Sequence, residues 1–458
     1  MVVRIVETLL ERTVSVHYYL PLFVGIVSVL TLRAWFSGKR TDRERDLHGR
    51  TILVTGATSS LGITLVTELA RRGAQVIGVV EDTADPTVLS LFDLIRHTTN
   101  NELVYAEQCD LSSPNAIKDF CAQLIKSSGG GLESEPPRLD AIIYAHEYPH
   151  IGAIQANSTE RAKEDEQRLH RRLASFFFTT LLLPVLLTAP EERDIRFITV
   201  VPPLYAAAIP SFTPRPPPPS EKSDAPVGVG VASPSLWVKE GARALDAILF
   251  TRHFQRILDA LPTPSVKTQV ARSTAGPTSS SKNTVELEPE AVAAKRPSNI
   301  IALAVSPGFS RTDTIAPYLL RRDKNSTVFS FVGLIGSVTH PIRYTLALPL
   351  LYIFAKSSDA AIQTVLHALF LPTPLKATRA AAAHQPTTTT TSTTRDGSSE
   401  EYVRGGALYA ECARVLLPGN AEQRLGSELV GQRVWENLEA ELARWRTAEQ
   451  ASRSIEKN

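Results

Sequence analysis

Cysteine is scarce: the 458 residues hold only Cys109, Cys121 and Cys412. They lie far apart and without the short spacings of a metal site. The pattern therefore excludes a disulfide framework, gives no metal centre, and suits a reducing compartment. Excess charge is also lacking, since 49 basic and 47 acidic residues leave a formal net charge of +2. A dedicated nucleic-acid binder would carry a basic stripe, so no nucleic-acid partner is expected. What is present is ordinary for a globular protein, with 43% hydrophobic residues in a chain long enough for two or three domains.

The stretch from Thr51 to Gly62 organises the middle of the chain. β-Branched and apolar residues (Thr51 to Thr55) predict a strand that runs into a loop of small residues. A helix is expected next, from Leu61 to Arg72, with Leu61, Leu65, Val66 and Leu69 on one face and Gly73 as its stop. Strand, glycine loop and helix start together suit a nucleotide phosphate. The loop admits backbone close to a diphosphate, and the first turn offers unpaired N–H groups and a partial positive charge.

Near the start, Val14 to Leu32 carries no formal charge, with Tyr18 and Tyr19 at one end and Trp35 and Phe36 just beyond the other. A bilayer core takes about 20 apolar residues as a helix, with aromatics at its interfaces. Residues 14–36 are therefore expected to form one membrane anchor. A cleaved signal peptide is the alternative, but the run is long and no small-residue cleavage site follows it. Arg33, Lys39, Arg40, Arg43, Arg45 and Arg50 outnumber Arg4 and Arg12 upstream, which puts the bulk of the chain in the cytosol. The sequons at Asn157 and Asn325 then read as chance.

From Gly49 onward strands and helices alternate, the pattern of a parallel sheet covered on both faces. The turn Thr-Gly-Ala-Thr-Ser-Ser-Leu-Gly (Thr55 to Gly62) resembles the Thr-Gly-x-x-x-Gly-x-Gly turn of short-chain dehydrogenases/reductases, with Ser60 in place of the middle glycine. Ser306-Pro-Gly-Phe-Ser-Arg-Thr-Asp313, at the end of a strand expected from Asn299 to Val305, resembles the Pro-Gly-x-x-x-Thr of the same superfamily. The resemblance covers roughly residues 49–445. Its tail segments, Ser357 to Leu369, Gly405 to Cys412 and Val434 to Leu438, are similar to those of retinol-dehydrogenase-like members. A membrane-anchored fungal branch carrying a domain of unknown function shares the pattern. The resemblance implies an α/β fold, a Rossmann-like doubly wound parallel sheet, behind one transmembrane helix. It also implies an NAD(P) site formed by Thr55, Gly56, Thr58, Ser59, Ser60, Leu61, Gly62, Glu81, Asp110, Leu111, Lys239, Pro307, Gly308 and Thr312.

Cofactor choice turns on Glu81 and Asp82, at the end of the strand Gln75 to Val80. An acidic side chain there accepts bonds from ribose hydroxyls and repels a 2′-phosphate, favouring NAD over NADP. A solvated acidic turn accounts for the same residues almost as well. Asp110 is assigned by resemblance to the adenine edge, and Thr312 to the nicotinamide amide or the phosphates.

The catalytic set implied by the resemblance is mostly missing. The family's Tyr-x-x-x-Lys opens a long helix, recognisable here from Ser235 to Phe250, with Lys239 at the lysine and Ser235 where the tyrosine belongs. A serine hydroxyl is too weak an acid and too short to replace a phenol, whose pKa is about 10 before it is tuned. Lys239 can still donate to ribose hydroxyls, or be a plain surface lysine. Arg171 stands at the family's asparagine, Pro202 follows the fifth strand where a serine is expected, and Tyr144-Ala145-His146-Glu147 replaces Asn-Asn-Ala-Gly. Tyr205 or His146 offers a substitute acid, although no spacing demands it. Tyr352-x-x-x-Lys356 matches the motif in an apolar run and reads as chance.

Residues 211–226, 263–297 and 387–399 are rich in Pro, Ser, Thr and charge, and are expected to be disordered insertions. The first is either a passive loop or a polyproline ligand for a protein partner. Val328 to Val338 and Tyr344 to Ala355 are too short to span a bilayer; they line a greasy pocket, dip into the membrane surface, or pack as core. Two functions follow as expectations. One is an NAD(P)-dependent oxidoreductase acting on a lipid-like alcohol or carbonyl, at the endoplasmic reticulum or the mitochondrial outer membrane. The other is a catalytically degenerate dinucleotide sensor or scaffold.

Overall fold

The computed structural model describes residues 19–127, 138–149, 158–190, 193–212, 235–261, 299–316, 345–373 and 402–456. The expected insertions therefore fall outside the described residues, apart from 211–212, as do Asn157, Asn325 and residues 328–338. After helix α1 (Tyr19–Phe36) the order is β1 (Thr51–Thr55), α2 (Ser60–Arg71), β2 (Gln75–Val80), α3 (Pro86–Thr99), β3 (Val104–Gln108), α4 (Pro114–Ser127), β4 (Ala141–Tyr144), α5 (Ser158–Leu186) and β5 (Ile195–Val200). Then come α6 (Leu236–Ala260), β6 (Ile300–Ser306), α7 (Ser358–Phe370), β7 (Leu408–Ala410), β8 (Ala413–Val415) and α8 (Glu428–Glu456). Strands and helices alternate from β1 to β5, and the later strands are separated by one or more helices except for the adjacent β7 and β8.

The strands form one sheet in the order β3-β2-β1-β4-β5-β6-β7-β8, parallel except for the β7–β8 pair. From β1 the chain winds outward to β3, then returns to the other side of β1 and winds outward again through β4. This is the doubly wound, Rossmann-like arrangement. Six strands lie where the sequence expects them, with end shifts of one or two residues; β7 and β8 were not anticipated as strands. Both faces are dry because each strand alternates its side chains. Leu53, Ile142 and Phe197 pack with α4, α5, α6 and α8 on one face. Ile52, Val54, Ile143 and Ile198 pack with α2, α3 and α7 on the other.

One buried cation ties the second face together. Arg196, in β5, is 1% exposed. It donates to the Ala368 and Leu369 carbonyls at 2.7 Å, and to Leu371 O, so the C-terminal turn of α7 is satisfied from the sheet. Asp194 neutralises it at 2.9 Å and also receives Arg45 at 3.2 Å. The buried Arg196 thus has a carboxylate and three carbonyls around it, and hydrogen-bonded pairing of that kind is the condition for burying a charge.

Helix α1 differs from the expected anchor. It is 18 residues long, residues 14–18 of the anticipated span lie outside the described residues, and among the described residues no helix is long and apolar enough to cross a membrane. Its apolar side chains are nevertheless exposed, with Leu20 at 73% and Trp35 at 76%. Its last turn leans on helical residues 345–354, where the Arg33 guanidinium lies 3.4 Å over the Tyr352 ring and Phe36 meets Phe354 edge-on at 4.8 Å. That second helix exposes Leu346 and Leu350 in turn.

Replacing Arg196 by Leu leaves the Ala368 and Leu371 carbonyls without their side-chain donor in the core, and leaves Asp194 and Leu369 O with Arg45 alone. The expected cost in urea unfolding is about 3–5 kcal/mol. Arg71→Leu, which breaks an exposed pair with Glu68, should cost about 1 kcal/mol or less. Equal costs for the two would contradict this reading of the core.

Candidate functional site

The topology reverses between β1 and β4, and in a doubly wound sheet the carboxyl ends of the strands at such a switch point are where the binding crevice lies. The loop after β1 fits it only because of two glycines. Gly56 has φ of 70°, and a Cβ on it would lie 2.8 Å from the His146 Cα. A Cβ on Gly62 would lie 2.1 Å from the Gly56 carbonyl oxygen. Bare backbone at both places lets helix α2 start directly beside the His146 backbone that follows β4.

The first turn of α2 then presents its unpaired N–H groups, and each has a partner. Ser59 caps the helix, its hydroxyl accepting from Gly62 N at 3.0 Å. The amides of Ser60 and Leu61 donate to the Asp313 carboxylate, at 2.9 and 3.1 Å to its two oxygens. Asp313 is 5% exposed and sits in a π-type turn, Arg311–Ile315, capped by Ser310. Burial raises its pKa, the Ser310 hydroxyl and the two amides working against that rise. Around it the Ser60 hydroxyl meets Ser358 Oγ at 2.6 Å and accepts from Thr312 at 2.9 Å. Tyr148, after β4, donates to Gly308 O at 2.7 Å. Three segments thus converge on the glycine loop: those after β4 and β6, and the start of α7.

The wall below the crevice is a buried polar chain. His146 is 5% exposed, with Nδ1 2.7 Å from Thr55 Oγ1 and Nε2 2.9 Å from the Arg171 carbonyl. A carbonyl only accepts, so Nε2 carries the ring proton and Nδ1 accepts from Thr55. Ser175 lies 3.2 Å from Nε2 and donates to Glu147 at 3.0 Å. Burial pushes the imidazole down to about 4, so the ring is neutral at pH 7. Burial raises the Glu147 carboxyl, and its hydrogen bond to Ser175 and the charges of Arg172, Arg243 and Arg171 pull against that rise.

The sequence-derived residues separate into those gathered at the crevice and those elsewhere. Gly56, Ser59, Ser60, Leu61, Gly62, Gly308 and Thr312 come together with Pro307, whose carbonyl receives the Lys356 ammonium at 2.9 Å. Thr58 is exposed on the loop, and Glu81 is exposed just beyond β2. The Thr55 hydroxyl is turned into the core toward His146. Asp110 is exposed and closes its own turn onto Ser112 N at 2.8 Å, while Leu111 is buried. Ser235 caps α6 without a side-chain bond, and Lys239 is exposed one turn on. The neighbouring Glu240 is buried and pairs with Arg168 and Arg243. Tyr352 is half-exposed under Arg33, and Lys356 is tied to Pro307 O and Glu411, so this Tyr-x-x-x-Lys pair is split between surface and core.

Asp313, Tyr148 and Ser358 carry no expected role in the sequence, and His146 is expected there only as a substitute acid. The one available signal was the acid directly after the Pro-Gly-x-x-x-Thr segment, at the same edge of the sheet as the glycine loop. What arises is a cradle of main-chain donors for an anion, beside a neutral histidine. The described residues bring no phenol to Lys239 through any hydrogen bond.

No protein-family model matches the chain. Over 199 residues it is 30% identical to the uncharacterized oxidoreductase YNL181W of Saccharomyces cerevisiae, covering 42% of this chain and 47% of that protein. Over 185 residues it is 32% identical to human retinol dehydrogenase 13, covering 39% and 51% of the two chains. The chain thus spans about half the length of these curated relatives. A solved metagenomic short-chain oxidoreductase in complex with NADP covers 58% of this chain and 86% of its own at 16% identity, with a TM-score of 0.34. Sequence similarity therefore supports the short-chain dehydrogenase/reductase relationship, with retinol-dehydrogenase-like homologues.

His146 allows a test of the buried chain. Its folded pKa lies below the unfolded value of about 6.5. The neutral ring therefore stabilises the fold fully above pH 6.5, and that contribution is lost as pH falls toward 4. His146→Asn should flatten the pH dependence of urea unfolding between 6.5 and 4, removing a slope worth on the order of 3 kcal/mol across the window. Glu147 and Asp313 contribute slopes of the opposite sign in both proteins. An unchanged difference between pH 7 and pH 4.5 would show that His146 is not buried as a neutral ring.

Proposed function

We propose that the chain is an NAD(P)-dependent oxidoreductase of the short-chain dehydrogenase/reductase kind, held at a membrane and acting on a lipid-like alcohol or carbonyl. The observation that carries the reading is the anion cradle of Ser60 N and Leu61 N, set by Gly56 and Gly62 at the switch point of the sheet. Main-chain donors that hold a carboxylate have the chemistry to hold a diphosphate, and a helix start favours either. The relatives described as oxidoreductase and retinol dehydrogenase support the same class.

When bound, the nicotinamide supplies hydride transfer; the chain supplies the rest. The cradle amides and the Thr312 hydroxyl hold the diphosphate. Glu81, at the rim of β2, accepts from the adenosine ribose hydroxyls and disfavours a 2′-phosphate, which is the argument for NAD over NADP. Lys239 donates to the other ribose. Proton transfer to the substrate oxygen is the weak point. Ser235 replaces the expected phenol, and His146 is neutral and already bonded at both nitrogens. General acid–base help from a positioned group is worth roughly 10²–10⁴-fold, so turnover should be slow unless another acid enters. This observation favours a second reading, a dinucleotide sensor or scaffold without the usual turnover.

The membrane part rests on the exposed apolar side chains of α1 and of residues 345–354, which meet at Arg33, Phe36 and Tyr352 beside the 311–315 turn. A greasy surface next to the crevice suits a substrate drawn from lipid. The basic residues after α1 set the bulk of the protein on the cytosolic side, in the endoplasmic reticulum or the mitochondrial outer membrane.

Titrating the purified full chain in detergent with NADH and NADPH, followed by cofactor fluorescence, tests the binding claim. Saturation is expected with both, tighter for NADH, and Glu81→Gln should narrow the gap. No saturable signal at millimolar levels would defeat the reading. Lys239→Ala separates enzyme from sensor: loss of lipid-alcohol oxidation with binding retained indicates an enzyme, whereas unchanged cellular function indicates the sensor. Release of the protein from membranes by alkaline carbonate would remove the anchor.

A further inference from the structure

The amides of Ser60 and Leu61 are the donors that a dinucleotide diphosphate would use, and one carboxylate already takes both. Its position is constructed rather than incidental. Asp313 N donates to Ser310 Oγ at 2.9 Å, and the Ser310 hydroxyl lies 3.2 Å from Asp313 Oδ2. Thr314 Oγ1 bonds the Ser310 carbonyl at 2.6 Å, and Ile315 N closes back to the same oxygen at 3.2 Å, which is the wide i-to-i+5 pattern of a π turn. The segment is further pinned from α7 and its approach. Lys356 accepts Arg311 N at its carbonyl and donates its own N–H to Phe309 O, while the Thr312, Ser60 and Ser358 hydroxyls form a triangle over the loop.

We propose that Asp313 is a built-in counter-anion that closes the phosphate cradle of the glycine loop, so that a dinucleotide binds only when the 311–315 turn withdraws from helix α2. Two anions cannot share two N–H groups, and a fixed negative charge at that point also repels the incoming one. The amides are never left without a partner, because carboxylate and diphosphate exchange at them. The dinucleotide thus becomes a ligand that moves a segment, with Thr312 travelling on the same turn. This turn adjoins the Tyr352 helix, as Arg311 lies 5.8 Å from the Tyr352 ring, so the displacement reaches the apolar surface beside the crevice. The inference rests on the dinucleotide reading above.

The test compares the full chain with Asp313→Asn and Asp313→Ala by calorimetric titration with NADH, ADP-ribose and adenosine. Removing the charge should tighten NADH and ADP-ribose by about tenfold or more, since a bond to a charged group no longer has to be broken. Adenosine, which has no phosphate, should bind all three forms alike. Unchanged or weaker ADP-ribose binding in both variants, with their thermal unfolding intact, overturns the proposal. Amide hydrogen exchange of the unliganded proteins separates the two levels. Ser60 and Leu61 should be protected in the natural chain and exchange faster in Asp313→Asn, whereas equal rates overturn the counter-anion itself and leave the dinucleotide reading standing. Exchange that differs as expected, with no dinucleotide bound by any form, overturns the dinucleotide reading and the competition with it.

Discussion

The backbone of His146 crosses the end of β1 so closely that any Cβ on Gly56 would collide with it. This contact decides where helix α2 begins, and through Gly62 how near its first turn lies to the crossing. Most of the crevice follows from that crossing. The amides of α2 emerge at the switch point of the sheet, the loop after β4 must pass above them, and the loop after β6 closes from the far side. A helix start at such a place holds concentrated positive potential and needs an acceptor, which is why a buried acid is stable there despite its desolvation. The buried Thr55–His146–Arg171 chain serves the same crossing from below. It spends its polar groups on one another, so the imidazole is a structural element and not a proton donor.

Much of the fold was legible in the sequence because periodicity and glycine placement are local signals. The runs at Thr51, Gln75 and Ile195 are bounded by turns and buried on both faces, so they read directly as parallel strands. Strands β7 and β8 are three residues each, too short to show a period, and owe their existence to pairing with β6 and with each other. Helix α1 was read as part of a longer apolar span. Its apolar character holds, while its described length stops at 18 residues.

The site was legible only in part, and the reason is physical. Gly56, Gly62 and Thr312 belong to short motifs whose spacing is visible along the chain. Asp313 acts on residues more than 250 positions away, and nothing local says whether an acid after Thr312 faces solvent or a helix start. His146 reads from sequence as a candidate substitute acid; burial, which sequence does not report, lowers its pKa to about 4 and takes it out of that role. Conversely, Tyr352 and Lys356 carry the right spacing and no joint site, since the helix ends between them and sends one to the surface and the other to the Pro307 carbonyl. Motif spacing predicts chemistry only when both members share a continuous helix.

On the proposed reading, the cradle and the missing phenol belong to one picture, in which binding a dinucleotide is coupled to moving the 311–315 turn and hydride transfer lacks its usual acid. A crystal structure of the full chain grown with NADH tests that coupling most directly. The account predicts diphosphate oxygens at hydrogen-bond distance from Ser60 N and Leu61 N, with the Asp313 carboxylate withdrawn from both amides. A bound dinucleotide with Asp313 still on Ser60 and Leu61 would contradict it.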